Sequence, residues 1–177
     1  MKRIAALGLL TCTLVLGAAL PAAAAAPGPA AHAPVLPELT AWLSRAGRPT
    51  RAAWRHAAQF SIPYEIDPEH NARAPVATAV AVGYTARALW LRLRAQDPHP
   101  QQIRVRYREH DDISSDTEDY VGVILSPFDD TQWAYEFFCT AGGVEWDAFR
   151  LQNTEYASWN AVWQCHARRT AHGYRVV

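Results

Sequence analysis

The sequence predicts an all-β fold: an antiparallel β-sandwich whose two sheets press their apolar faces together. Three observations carry this. From residue 76 onward, short segments rich in Val, Ile, Tyr, Trp and Phe alternate with turn signals. Within those segments apolar and polar side chains alternate with period two, which leaves one face dry and one wet. No repeated strand–helix–strand pattern occurs, which argues against a parallel sheet.

The chain has 177 residues. Lys2 and Arg3, the apolar run behind them and the small-residue tract ending near Ala26 have the shape of a secretory signal peptide, residues 1–26. The apolar run is short for a membrane anchor, which needs about 20 residues. Cys12 sits inside that run behind Thr11, which does not fit a lipidated cysteine. Residues 27–47 open with PGPAAHAPVLP and read as a linker, with Leu39, Trp42 and Leu43 on one side of a helical turn. The domain spans residues 48–177. Thr50 caps a short helix, RAAWRHAA, that buries Trp54.

The strands follow in order. VATAVAVGY is the first. ALWLRLRA is the second, with Leu89, Leu91 and Leu93 opposed to Trp90, Arg92 and Arg94. DPHP turns the chain into IRVRYR, where Ile103, Val105 and Tyr107 alternate with Arg104, Arg106 and Arg108. DYVGVIL buries Val121, Val123 and Leu125, and SPFDDT turns. In WAYEFFCT, Trp133, Tyr135, Phe137 and Cys139 share a face; Glu136 marks the other as wet. The turn AGG leads to VEWDAFRL. In AVWQCHARRT, Trp163, Cys165 and Ala167 point inward and Gln164, His166 and Arg168 outward. AHG turns into YRVV. Trp163 is core by parity, whereas Trp159, ahead of that strand, fits the sandwich rim and a binding surface equally.

Lys2 is the only lysine, so the domain's cations are arginines and histidines. Basic and acidic side chains number 17 each. Without Lys2 and Arg3 the balance turns slightly acidic, so no net field draws nucleic acid. Cys139 and Cys165 share inward parity; a disulfide, suited to an exported compartment, and two buried thiols both fit.

Several segments together resemble a known family. FSIPYEID, APVATAVAVGYTARALWLRLRAQDP, DDISSDTEDYVGVILSPFDDTQWAYEFFCTAGGVEWDAF, SWNAVW and HGYRVV, in that order, are similar to the family 9 carbohydrate-binding domain. The closer likeness is to the version found at the N-terminus of large exported bacterial proteins with a C-terminal barrel-like region. The resemblance implies a jelly-roll-like sandwich, an oligosaccharide or polysaccharide partner and a role in carbohydrate catabolism. The family pattern continues past YRVV, so an incomplete C-terminus is expected. SSDTED stands where the sugar-binding modules place an aromatic wall. That departure supports an alternative: a structural domain docked to an outer-membrane barrel partner.

Sugar recognition needs flat rings and polar groups that fix hydroxyls. Trp90, Trp133 and Trp159, with Glu136, Asn160 and Gln164, are the candidates. Glu109 to Asp119 gathers six carboxylates, and Asp112, Asp116 and Asp119 form a candidate calcium set, although the order is not that of an EF-hand. Glu136, Glu145 and Asp147 flank one hairpin, but nothing suggests the buried pocket that glycoside hydrolysis requires. GxSxG, HExxH, P-loop and GxGxxG patterns are missing from the sequence. The expected role is non-catalytic, at most accessory to a glycoside hydrolase. Haem binding is a further alternative. With Met1 and Lys2 in the signal segment, the domain itself offers His56, His70, His99, His110, His166 and His172 as axial ligands.

Overall fold

The computed structural model describes residues 35–65, 72–113, 117–127 and 132–177. The signal segment, His70, Asp116 and most of the SPFDDT turn lie outside the described residues. After a helix α1 (Arg51–His56) come strands β1 (Ala58–Glu65), β2 (Ala72–Thr85), β3 (Ala88–Gln96), β4 (Tyr120–Leu125), β5 (Trp133–Thr140), β6 (Glu145–Leu151), β7 (Thr154–Tyr156), β8 (Ala167–Thr170) and β9 (Gly173–Val176). They form two antiparallel sheets, ordered β1-β2-β3-β9-β8 and β4-β5-β6-β7. The all-β sandwich expected from period-two alternation is the architecture. The second sheet is a plain meander in which every neighbour is consecutive in the chain.

The sheets meet over one interior. Val80, Val82 and Leu93 of the first sheet pack with Val121 of the second. Beside them Cys139, Cys165, Tyr174 and Val176 form a cluster with Ile103, joined by Val105 and Trp163. Cys139 and Cys165 are bonded as a disulfide, with Cα atoms 6.4 Å apart. Their shared inward parity is what lets them meet.

The first sheet also carries apolar side chains on its outer face. Thr50 accepts the Ala53 N–H through Oγ1 at 3.3 Å and starts α1, as expected. Trp54, Ala53 and Ala57 then close over Ala81 of β2 and Trp90 of β3. The segment read as a linker is partly built into this layer. Leu39 is wholly buried, its N–H bonds the Tyr84 carbonyl at 2.7 Å, and Leu36 packs on the sheet interior. Gly83 makes room for it: a Cβ there would lie 2.6 Å from Leu39 Cδ1.

Three strand assignments change. IRVRYR lies outside both sheets. Ile103 is buried and Val105 packs on the core, but Tyr107 is 92 % exposed. At Arg104 the backbone is held by one residue: Asp119 Oδ2 accepts its N–H at 2.7 Å, and its carbonyl accepts the Asp119 N–H at 3.2 Å. The seventh strand shrinks to Ala167–Thr170; His166 still exchanges backbone hydrogen bonds with Val177, whereas residues 161–165 lie outside both sheets. Conversely, β1 exists although its run, AQFSIPYE, contains Pro63. Proline is tolerated there because β1 is an edge strand, irregular between Ile62 and Tyr64.

Candidate functional site

The inner face of the second sheet presents a continuous belt of aromatic rings. Cross-strand register places Trp133, Tyr135 and Phe137 of β5 on the Cys139 face, with Phe149 of β6 opposite Tyr135. Ring centroids link Trp133 to Phe149 at 5.1 Å, Phe149 to Tyr135 at 5.6 Å and Tyr135 to Trp159 at 5.0 Å. Tyr156 extends the run at 6.2 Å from Phe149, and Trp163 packs edge-on against Phe137. Trp133 and Tyr156 are exposed, at 38 % and 44 %; Tyr135, Phe149 and Trp159 are half-buried.

Two carboxylates hold the crossing segment onto this face. Asp147, wholly buried, accepts the Trp163 indole N–H at 2.7 Å and the Ala161 N–H at 3.1 Å. Glu145 accepts the Cys165 N–H. The expectation that Glu145 and Asp147 are surface acids on a wet side is therefore corrected. They face the interior and satisfy the backbone N–H groups of Ala161 and Cys165, which would otherwise be orphaned.

The six candidate sugar contacts separate into four groups. Trp133 and Trp159 are brought together on the belt, linked through Phe149 and Tyr135. Asn160 follows Trp159 and is exposed, as is Gln164. Glu136 is corrected: it faces away from the belt, but it is only 1 % exposed and does not mark a wet surface. Arg150 Nε donates to it, and Arg150 also bonds Glu155 at 3.1 Å. Burial, then the hydrogen bond and charge of Glu136, push the Glu155 carboxyl above its ordinary range, against the pull of Arg150. Trp90 lies apart from the belt, on the outer face of the other sheet, half-buried against the cluster of α1. Tyr135, Phe149 and Tyr156 escaped notice as site residues, although parity with Trp133 and the cross-strand register align them.

The two described members of the candidate calcium set are each paired with a different arginine. Asp112 is paired with Arg108 at 2.8 Å and Asp119 with Arg104 at 3.3 Å; Asp116 lies outside the described residues. Metal-ligating atoms gather instead at His110, Asp111 and Asp147, all within 4.8 Å of one another. Here the imidazole itself supplies the counter-charge. His110 Nδ1 lies 2.8 Å from Asp111 and Nε2 3.7 Å from Glu145. The Asp111 hydrogen bond, followed by the charges of Asp111, Asp147 and Glu145, raises its pKa above 6.5 against a smaller effect of burial. A raised folded pKa means stabilisation that is complete below about pH 6.5 and disappears as pH climbs through the folded value. In thermal melts from pH 5 to 9, the wild type is expected to lose stability relative to His110→Gln above about pH 6.5. Parallel curves would show that His110 makes no such contribution.

Compared with family models, curated proteins and solved structures, the chain matches none. Among the described residues no helix is long and apolar enough to cross a membrane.

Proposed function

We propose that this domain is a non-catalytic carbohydrate-binding β-sandwich of the family 9 kind, holding a sugar chain on its aromatic belt. The observation that carries the reading is the run Trp133–Phe149–Tyr135–Trp159. It is a row of rings left partly open to solvent, with Asn160, next to Trp159 in the chain, and Gln164 both exposed. A pyranose ring has an apolar face of C–H groups, which stacks on such rings, while amide groups fix hydroxyls. Export, as a periplasmic, secreted or outer-membrane-associated domain, fits both the signal-like start and the disulfide.

Titration calorimetry with xylo-, cello- and manno-oligosaccharides tests the reading. Trp159→Ala is expected to weaken binding about 30-fold, the roughly 2 kcal/mol typical of a hot-spot aromatic. Trp90→Phe, on the other sheet, is expected to leave affinity unchanged. Equal losses from both variants would contradict the assignment of the belt.

One observation favours a second reading, docking to a barrel partner by strand addition. β3 pairs with β2 from Ala88 to Ala95 but with β9 only from Leu93 to Gln96. The β9-side edge from Ala88 to Arg92 therefore has no strand beside it among the described residues, a template for an added strand. No affinity for any glycan, together with fast amide exchange over Ala88–Arg92, would favour docking.

A further inference from the structure

On the far side of the molecule from the belt, the outer face of the first sheet carries arginines in register. Arg94 of β3 is directly opposite Arg175 of β9, which is directly opposite Arg168 of β8. Arg92 shares their face one pleat along β3. Like charges directly opposed across strands destabilise a sheet unless a counter-charge is present. None of the four has an ion-pair partner among the described residues. The Nε of Arg92 is buried with no acceptor among them. Burial, followed by the charges of Arg94 and Arg175, lowers the pKa of Arg92 below its usual value. Its guanidinium is anchored 4.8 Å from the Trp54 ring centroid.

We propose that this row binds an acidic polysaccharide, a polyuronate whose carboxylates dock on the guanidinium groups of Arg94, Arg175 and Arg168, with Arg92 alongside. The inference takes its polymer class from the carbohydrate-binding reading; the charge requirement stands without it. Three points favour this ligand. Guanidinium forks match carboxylates in two-pronged contacts. Neighbouring strands are about 4.8 Å apart, so the row repeats positive charge at short intervals, and a polyuronate carries one carboxylate on every ring. The exposed side chains beside the row on β2 are Ala77 and Ala79, too small to stack a nucleic-acid base or enter a bilayer.

The test is titration of the mature protein with oligogalacturonate, with its carboxyl-reduced neutral counterpart and with neutral xylo-oligosaccharide. Oligogalacturonate is expected to bind with an affinity that falls as salt rises, and the reduced counterpart to lose that component. Arg94→Ala/Arg175→Ala is expected to weaken oligogalacturonate about tenfold or more, leaving xylo-oligosaccharide binding untouched. Its melting temperature should match or exceed the wild type's, because a repulsion has been removed. Arg94→Lys, which keeps the charge but not the fork, should fall between. No uronate affinity, or undiminished affinity in the double variant, overturns the proposal; retained xylo-oligosaccharide binding would then leave the belt reading standing. Equally tight binding of single-stranded DNA or phosphatidylglycerol vesicles through the same arginines would also overturn it.

Discussion

Replacing both bridging cysteines, Cys139→Ala/Cys165→Ala, is expected to cost about 3.5 kcal/mol of stability, the chain-entropy value for a loop of this length. The two cysteines are 26 positions apart. In a domain of this size that loss lowers the melting temperature by roughly 7–14 °C. The bridge does more than shorten a loop. Cys139 belongs to β5, in the second sheet, while Cys165 lies just ahead of β8, in the first. Between them runs the segment that places Trp159 and Trp163 over Tyr135 and Phe137. Reduction should therefore loosen the belt before it unfolds the sandwich. A reducing agent is expected to weaken glycan binding at temperatures where the circular dichroism of the sheets is unchanged. Unchanged melting on substitution would show that packing alone holds the sheets together.

Arg150→Ala is expected to destabilise by about 3 kcal/mol. Glu136 is only 1 % exposed and takes its counter-charge from Arg150. Removing one partner of a buried pair typically costs 3–5 kcal/mol, because the other charge is stranded. The lower end applies because Arg150 retains 38 % side-chain exposure, so water screens the pair in part. Glu136→Leu/Arg150→Met removes both charges and is expected to recover most of the loss. One feature identifies the mechanism: strong non-additivity in the double-mutant cycle. Simple additivity in chemical denaturation would contradict it.

Alternation made much of this fold legible before any coordinates. Leu91 and Leu93 against Trp90, Arg92 and Arg94 described both faces of β3, and Cys139 with Cys165 pointed to a common interior. Parity, however, assigns a side chain to a face without saying what lies over that face. Glu136 seemed wet because it alternates with aromatics, yet Arg150 covers it. Trp90 shares a face with arginines, yet the cluster of α1 packs against it. The false strands have a single cause. Asp119, Asp147 and Glu145 accept backbone N–H groups from Arg104, Ala161 and Cys165. A carboxylate from a distant position can satisfy an extended segment as well as a neighbouring strand does, and no local pattern distinguishes the two. The belt was half visible through Trp133 and Trp159. Its continuity depended on Phe149 and Tyr156, whose places follow only from the β5–β6–β7 register.

The central claim, that sugar is held on the inner aromatic face of the second sheet, is tested most directly by the indole N–H resonances of the protein. Each tryptophan is assigned by substitution and followed as an oligosaccharide is added. The indoles of Trp133 and Trp159 should shift together along one saturable curve while those of Trp54 and Trp90 stay fixed. Saturable binding that moves Trp54 and Trp90 instead, or a full glycan series that moves none of the four, would contradict it.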